Sequence, residues 1–487
     1  MYNNPVKCVS LRYLLTISIW FWTSYAQLES TARPEVQISQ GILQGVTLTT
    51  NHQRNFSGFL GIPYAQPPVQ NLRFANPVKA DGWNGTRDAS VDMNLCPQIS
   101  GDVILGVEDC LYLNVYTPQL PDSTNKSLFP VMVFIHGGRF TRGSATYAGN
   151  SPVYLLDADV ILVMPNYRLG PLGFLSTGDE VASGNWALKD QVMALEWVQD
   201  NIHSFGGDPD QVTLFGVSAG AVSVHLLTLS NLTNGLFHRY ITQSGSALAT
   251  WAYQPRETYA SRAFELGKYV NCTNDTSDSL INCLRTVEFS DIIATYSKFL
   301  VWQSYPVIVW SPTDEPDIEG AILTDSPTNL FAAGKIRDLP WICSLVRDEG
   351  LIFSAEMFNE FLEKIDLVLP EMLTLIYQSD SGAAWVEAIK SYYFNDDLTT
   401  NTSVVGSAKF NIAGASFVYQ YLTINFIYSY SQITRYSSLT PFFSTLPTKH
   451  SVNNLLLKKI SSICTLSTTG ALLATVFIMV VPRKIMA

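Results

Sequence analysis

The stretch Gly216-Val217-Ser218-Ala219-Gly220 decides how the chain is read. Its G-x-S-x-G spacing is that of a nucleophile elbow, where a strand turns sharply into a helix with a serine at the apex. A Cβ two residues to either side of the serine clashes in so tight a turn, so glycines stand there. The flanks agree with this. Gln211-Val-Thr-Leu-Phe215 is β-branched and apolar, a short buried strand, and Ala221-Val-Ser-Val-His-Leu-Leu-Thr228 reads as the helix that opens on the serine. A bare pentapeptide also occurs as an ordinary glycine-rich turn; the strand before it and the helix after it separate the two readings.

Working outward, Val131-Met-Val-Phe-Ile135 and Val160-Ile-Leu-Val-Met164 are continuous apolar runs, the mark of strands covered on both faces. The first runs into His136-Gly-Gly-Arg-Phe140. Between the second and the elbow, residues 185–202 show helical apolar spacing, with Ala187, Met193, Ala194, Trp197 and Val198 on one stripe. Residues 35–60 carry short alternating runs expected to form antiparallel hairpins, and Leu111–Tyr116 alternates like a strand. Strand and helix in alternation imply an α/β fold, a large and mostly parallel sheet with helices on both faces. No linker, repeat or low-complexity block divides the chain, so one large domain is expected from its 487 residues.

The net charge of -11 excludes a nucleic-acid surface as the main function. The N-terminus sets the compartment. Lys7 and Arg12 precede the apolar run Leu14–Trp22, and Ser24-Tyr25-Ala26 follows as a small-x-small site, so residues 1–26 are expected to be a signal peptide. In a secreted or extracellular chain the N-x-S/T sequons at Asn55, Asn84, Asn125, Asn231, Asn271, Asn274 and Asn401 become expected glycosylation sites. The seven cysteines are too few for a disulfide scaffold but enough for a few bridges.

The ordered stretches Gly61-Ile-Pro-Tyr-Ala-Gln-Pro-Pro68, Leu72-Arg-Phe74, Glu108–Pro118, His136-Gly-Gly138, Asn166-Tyr-Arg-Leu-Gly170, Leu188-Lys-Asp-Gln191, Asn201–Pro209, the elbow and Gln243-Ser-Gly245 carry a resemblance. The chain resembles the type-B carboxylesterase and cholinesterase branch of the α/β-hydrolases, in the manner of a secreted insect carboxylesterase. The match runs from about 35 to about 422, and the domain is expected to span 27–422. The resemblance implies a small-molecule carboxylic ester as partner, a serine nucleophile, an acyl-enzyme intermediate and no metal or other cofactor. In this fold the triad runs Ser, acid, His. Ser218 is then the nucleophile and Glu349, before Gly350, the acid. The backbone N–H groups of Gly138, Arg139 and Ala219 form the oxyanion hole. His136 belongs to that loop and is read as structural. The resemblance also implies disulfides Cys96–Cys110 and Cys272–Cys283 and ion pairs Arg73–Glu108 and Arg168–Asp190; Cys343, in an apolar strand-like run, is expected to be an unpaired core thiol.

Two departures bear on substrate. Val217 stands where the family commonly has glutamate, and no Trp lies between Cys96 and Cys110 to stack a quaternary ammonium. Both point away from a cholinesterase. A third departure bears on mechanism. Of the six histidines, His450 alone follows Glu349, which makes it the expected base by order, yet its surroundings do not follow the family pattern. After residue 422 that pattern stops, and 423–487 reads as a replaced tail, from an alternative exon or an incorrect gene model. Within it the nearly uncharged segment 463–481, followed by Arg483 and Lys484, has the length of a membrane span and is the candidate tether. A lipid-anchor signal is a rival reading of the same segment. The alternative function is a catalytically impaired or non-enzymatic adhesion or recognition protein on the same scaffold.

Overall fold

The computed structural model describes residues 33–121, 127–249, 251–272, 275–300 and 308–346, and the backbone of 476–481. The first residues form the expected hairpins. Strand β1 (Glu35–Ile38) pairs antiparallel with β2 (Gly41–Gln44), and β3 (Val46–Thr49) with β4 (Asn55–Pro63). Strand β5 (Thr86–Asp88) extends the first hairpin, and β6 (Gln98–Ser100) and β7 (Val103–Leu105) make a hairpin of their own. The remaining strands are β8 (Tyr112–Thr117), β9 (Phe129–Ile135), β10 (Ile161–Pro165), β11 (Gly207–Val217), β12 (Arg239–Gln243), β13 (Trp341–Val346) and β14 (Val476–Val481).

Nine of these strands make one sheet in the order β14-β13-β12-β11-β9-β10-β8-β4-β3. The strands β10, β9, β11, β12 and β13 run parallel, and antiparallel strands flank them on both sides. Side chains of a strand alternate between faces, and here each face has its own core. In β9, Val131, Val133 and Ile135 join the larger cluster, while Met132 and Phe134 pack on the smaller one around Phe56, Tyr116, Leu162 and Met164. That is why the run at 131–135 reads as uninterrupted apolar sequence. Strand β11 is longer than its apolar stretch because pairing with β9 restarts at Gly207, across a register shift before Val212.

The helices are α1 (Gly170–Phe174), α2 (Trp186–Asn201), α3 (Ala219–Leu227), α4 (Arg256–Tyr269), α5 (Ser277–Leu284), α6 (Phe289–Ala294) and α7 (Pro327–Ala332). Helix α3 packs on β9, β11 and β12, and α2 packs on β10 and α1. The single apolar stripe expected for α2 is too narrow. Its burial extends to Lys189, Asp190 and Gln191, while Met193 is half-buried. The polar residues go inside because each has a partner there: Arg168 binds Asp190 through Nε (2.8 Å) and Nη2 (2.7 Å), and Lys189 Nζ lies 2.5 Å from Glu315 Oε2.

Both disulfides implied by the resemblance are present, and Cys343 is buried and in neither of them. Cys272–Cys283 ties the chain beyond α4 into α5, and the end of α5 is held in turn by Arg73. That guanidinium binds Glu108 through Nε (2.6 Å) and Nη2 (2.5 Å) and donates to Leu284 O (3.0 Å) and Val287 O (2.6 Å). These ion pairs are not the weak surface kind, since the side chains of Arg168 and Asp190 are 3% and 0% exposed.

The membrane reading of 463–481 is corrected in its last part. Val476–Val481 is a six-residue strand at the sheet edge, antiparallel to β13, with Trp341 opposite Val481. An apolar run rich in valine fits a strand, and pairing with β13 satisfies backbone groups that a sheet edge leaves open. Among the described residues no helix is long and apolar enough to cross a membrane. The signal peptide at 1–26, the residues Glu349 and His450, and the rest of the tail lie outside the described residues.

Replacing Arg168 by Met leaves Asp190 buried and uncompensated, which should cost about 3–5 kcal/mol of unfolding free energy in urea titrations. The double variant Arg168→Met/Asp190→Leu should recover most of that loss. A single variant as stable as wild type would show that the pair does not hold this part of the fold.

Candidate active site

The parallel strands end at one edge of the sheet, and the chemistry-bearing loops leave from there. Strand β9 leads to His136–Gly138, β11 to Ser218 and β12 to Ser244-Gly245, while β13 leads toward the segment that contains Glu349. Crevices at the carboxyl ends of parallel strands are where open α/β sheets place ligands.

Ser218 caps α3 with φ 56° and ψ -122°, a backbone conformation that a residue with a side chain rarely adopts. It persists because the surroundings allow nothing else. The Ser218 N–H donates to Gln243 O at 2.8 Å, and Ser218 O accepts from Val222 N–H at 3.0 Å. A Cβ on Gly216 would stand 2.6 Å from the Gly220 carbonyl carbon, and one on Gly220 would stand 2.0 Å from Ile135 O. The elbow glycines are therefore required by close backbone approach, as the sequence implied. Gly245 is a third such position, where a Cβ would stand 2.3 Å from Ser218 O.

The loop after β9 lies against this elbow. A Cβ on Gly137 would be 2.7 Å from Val217 O and 3.2 Å from Ser218 Cβ. Gly138, Arg139 and Phe140 follow with positive φ of 120°, 60° and 59°. Two of these carry side chains, so the strain must be offset. Thr141 N–H and Arg142 N–H both donate to Gly138 O, at 3.1 and 3.0 Å, and Gly170 N–H donates to Phe140 O at 2.7 Å. Phe140 is fully buried and packs edge-on against Phe174, ring centroids 5.0 Å apart. At the loop's far end Gln98 grips Gly143 from both sides, accepting from its N–H at 2.9 Å and donating to its oxygen at 3.0 Å. Gln98 sits two residues after Cys96, so the first disulfide braces the clamp on this loop. Nothing in the sequence marks Gln98 for that role.

Ala219 opens α3, so its N–H is one of the helix's unpaired first-turn donors, and the helix dipole favours negative charge there. Ala219 adjoins Ser218, and Gly137, directly before Gly138 and Arg139, lies against it. Glu349 and His450 lie outside the described residues. Two other histidines, His136 and His225, serve other ends. His136 is 2% exposed, stacks on Tyr167 with centroids 4.3 Å apart and donates from Nδ1 to Gly137 O at 2.8 Å. Burial holds it neutral by lowering its pKa to about 4. Tyr167 in turn donates its hydroxyl to His136 O at 2.7 Å. His225, also buried, accepts from Ala247 N–H at 3.3 Å, and burial lowers its pKa to about 3. Among the described residues no histidine hydrogen-bonds to the Ser218 hydroxyl. Of the sequons, Asn55, Asn84, Asn231 and Asn271 are exposed, while Asn125, Asn274 and Asn401 lie outside the described residues.

A nine-stranded α/β sheet with a strained serine between strand and helix defines an α/β-hydrolase. Residues 32–443 match the carboxylesterase family, running past residue 422 and ending short of His450. The chain is 42% identical over 376 residues to "Esterase E4" of Myzus persicae, covering 74% of this chain and 67% of that protein. It is 38% identical over 391 residues to "Carboxylic ester hydrolase" of Bombus ignitus, covering 76% and 68%. Against "Juvenile hormone esterase" of Tribolium castaneum it is 38% identical over 389 residues, covering 75% and 64%. The chain belongs to the carboxylesterase family and is a carboxylesterase-type hydrolase. The match spans about two thirds of the length of these relatives. All three are named for ester hydrolysis, which disfavours the non-enzymatic alternative.

Two measurements test this arrangement. Gly245→Ala pushes a methyl onto Ser218 O, so kcat on an aryl ester should fall by about tenfold or more while far-UV circular dichroism stays native. The second is pH. The unfolded chain protonates its histidines near 6.5, whereas His136 and His225 resist protonation in the fold. Their stabilising share is therefore full above pH about 6.5 and is lost as pH falls toward 4 and below. Urea titrations should show roughly 1 kcal/mol less stability per histidine at pH about 5.5 than at about 7.5. His225→Gln should flatten that fall; an unchanged slope would place the proton uptake elsewhere.

Proposed function

We propose that this chain hydrolyses carboxylic esters with Ser218 as nucleophile, Glu349 as orienting acid and His450 as base. The observation that carries the reading is Ser218 held in its strained turn at the head of α3 with the Gly137–Phe140 loop packed against it. The substrate carbonyl oxygen sits toward the N–H groups of Gly138, Arg139 and Ala219. His450 takes the Ser218 proton as Oγ attacks the carbonyl carbon, and the negative oxygen of the tetrahedral intermediate is met by those amides. The intermediate collapses, and the alcohol leaves with the proton from the histidine. Water, deprotonated by the same histidine, then releases the acid from the acyl-serine.

Serine needs this help because its hydroxyl is a poor nucleophile near neutral pH. The base falls to His450 because His136 and His225 are buried in other contacts and it is the histidine that follows Glu349 in sequence. Val217 beside the nucleophile gives no carboxylate for a cationic substrate, which supports a general ester over a choline ester. Secretion as a glycoprotein is part of the proposal, supported by the N-terminal pattern, the two disulfides and the four exposed sequons.

A fluorophosphonate should label wild-type protein and not Ser218→Ala, and Ser218→Ala should lower kcat on a short-chain aryl ester by about 10^4-fold or more. His450→Ala should lose a similar factor. Turnover that survives His450→Ala while disappearing in Ser218→Ala would keep the nucleophile and reject that base; turnover unaffected by Ser218→Ala would reject the mechanism.

A further inference from the structure

The loop that lies on the elbow closes on itself. Gly138 O accepts from Thr141 N–H and Arg142 N–H, at 3.1 and 3.0 Å. A Cβ on Gly143 would overlap Gly137 O and stand 2.6 Å from His136 Nδ1, so the two ends of the loop are in backbone contact. Gly137 is also the residue that meets the nucleophile, since a Cβ there would stand 3.2 Å from Ser218 Cβ. Where Gly143 sits therefore sets how Gly137, and the amides of Gly138 and Arg139 after it, stand against the serine.

The run that starts at Gly143 is held by side chains. Its alternate amides, those of Gly143, Ala145 and Tyr147, donate to Gln98 Oε1 (2.9 Å), Asn166 Oδ1 (2.8 Å) and Asp92 Oδ2 (2.6 Å). Of these three side chains, Gln98 alone also binds the carbonyl of the residue it holds, through Nε2 to Gly143 O at 3.0 Å. Its Nε2 donates as well to Cys96 O at 3.0 Å, which ties the clamp to the disulfide-bonded residue two positions earlier. Gln98 is 7% exposed, so water is a poor substitute for these bonds once they are lost.

We propose that Gln98 is a positioning residue for ester turnover. By fixing both backbone groups of Gly143 it keeps the Gly138 and Arg139 amides aimed at the oxygen that turns negative when Ser218 attacks. The proposal rests on Ser218 being the nucleophile and on those amides being its oxyanion donors. Such donors work only when they stand at hydrogen-bond distance from the place the oxyanion will occupy, and a displacement on the order of 1 Å can cost about a hundredfold in rate. A ground-state carbonyl draws less on them, so the loss of Gln98 falls on the transition state and hardly on substrate affinity.

Two variants test it. Gln98→Leu should lower kcat on a short-chain aryl ester by about tenfold or more and slow fluorophosphonate labelling of Ser218 to match. Added to Ser218→Ala, the same substitution should leave calorimetric binding of that ester within about twofold. Gln98→Glu decides the matter where leucine prevents folding. An ionised glutamate accepts from Gly143 N–H but repels Gly143 O and Cys96 O, whereas a protonated one can again donate to Gly143 O. Burial raises the pKa of such a carboxyl, so the Gln98→Glu rate relative to wild type at the same pH should climb about fivefold or more between pH about 8 and about 5.5. The corresponding ratio for Gln98→Leu should stay flat with pH. A side chain that only stabilised the fold would move the urea midpoint without this pH signature. Folded Gln98→Leu that labels and turns over like wild type, or a Gln98→Glu ratio indifferent to pH, would overturn this proposal alone. Wild-type protein that neither labels nor turns over would reject the nucleophile reading and this one with it.

Discussion

The backbone of Ser218 is the constraint on which the rest depends. Its φ of 56° puts a residue with a side chain where glycine is at home, at a cost on the order of 1–3 kcal/mol. Four glycines from different parts of the chain make that conformation the available one. Gly216 and Gly220 let β11 and α3 close on each other, Gly137 brings the loop after β9 onto the serine, and Gly245 admits the segment after β12. The amide of Ser218 is tied to the same neighbouring segment through Gln243 O. A shift of register between β9, β11 and β12 would break all of these approaches together, so the sheet's pairing and the serine's posture are one property.

Around that point the molecule uses charge and covalent links to hold loops where apolar packing alone cannot. The Gly138–Phe140 turn is strained at two successive residues, Arg139 and Phe140, and it is gripped at one end by Phe140 in the core and at the other by Gln98 on Gly143. Gln98 is steadied by the Cys96–Cys110 bridge. The ion pairs Arg168–Asp190 and Arg73–Glu108 act in the same way on Asn166–Gly170 and on Leu72–Phe74. Each is buried enough that the loss of one partner matters more than the pair's own net gain. The arrangement is held through the backbone, while Val217 beside the serine stands exposed.

Much of this was legible in the residues. The apolar runs at 131–135 and 160–164 announced strands buried on both faces, and two separate cores show why no polar alternation appears in them. The elbow glycines announced a close approach, and their distances bear that out. Helix α2 was misjudged as one-sided because a buried lysine or aspartate looks like a solvent-facing one until its partner is seen, and Glu315, the partner of Lys189, lies far along the chain. The segment 476–481 was read as membrane sequence because hydropathy cannot distinguish a lipid-facing helix from a strand added to a sheet edge. Gln98 carried no signal, since a side-chain amide that clamps a distant backbone has no local pattern.

The amino-acid sequence by itself determined the class of fold and the identity of the turn that holds Ser218, because these follow from local sterics, periodicity and motif order, while the pairing of the cysteines came from the resemblance to a family. Tertiary structure alone decided which polar groups go inside, which loops are clamped and by what, and where the last strand pairs. Those outcomes depend on residues far apart in the chain meeting at a few ångströms, and no property of a segment taken alone encodes its distance to another.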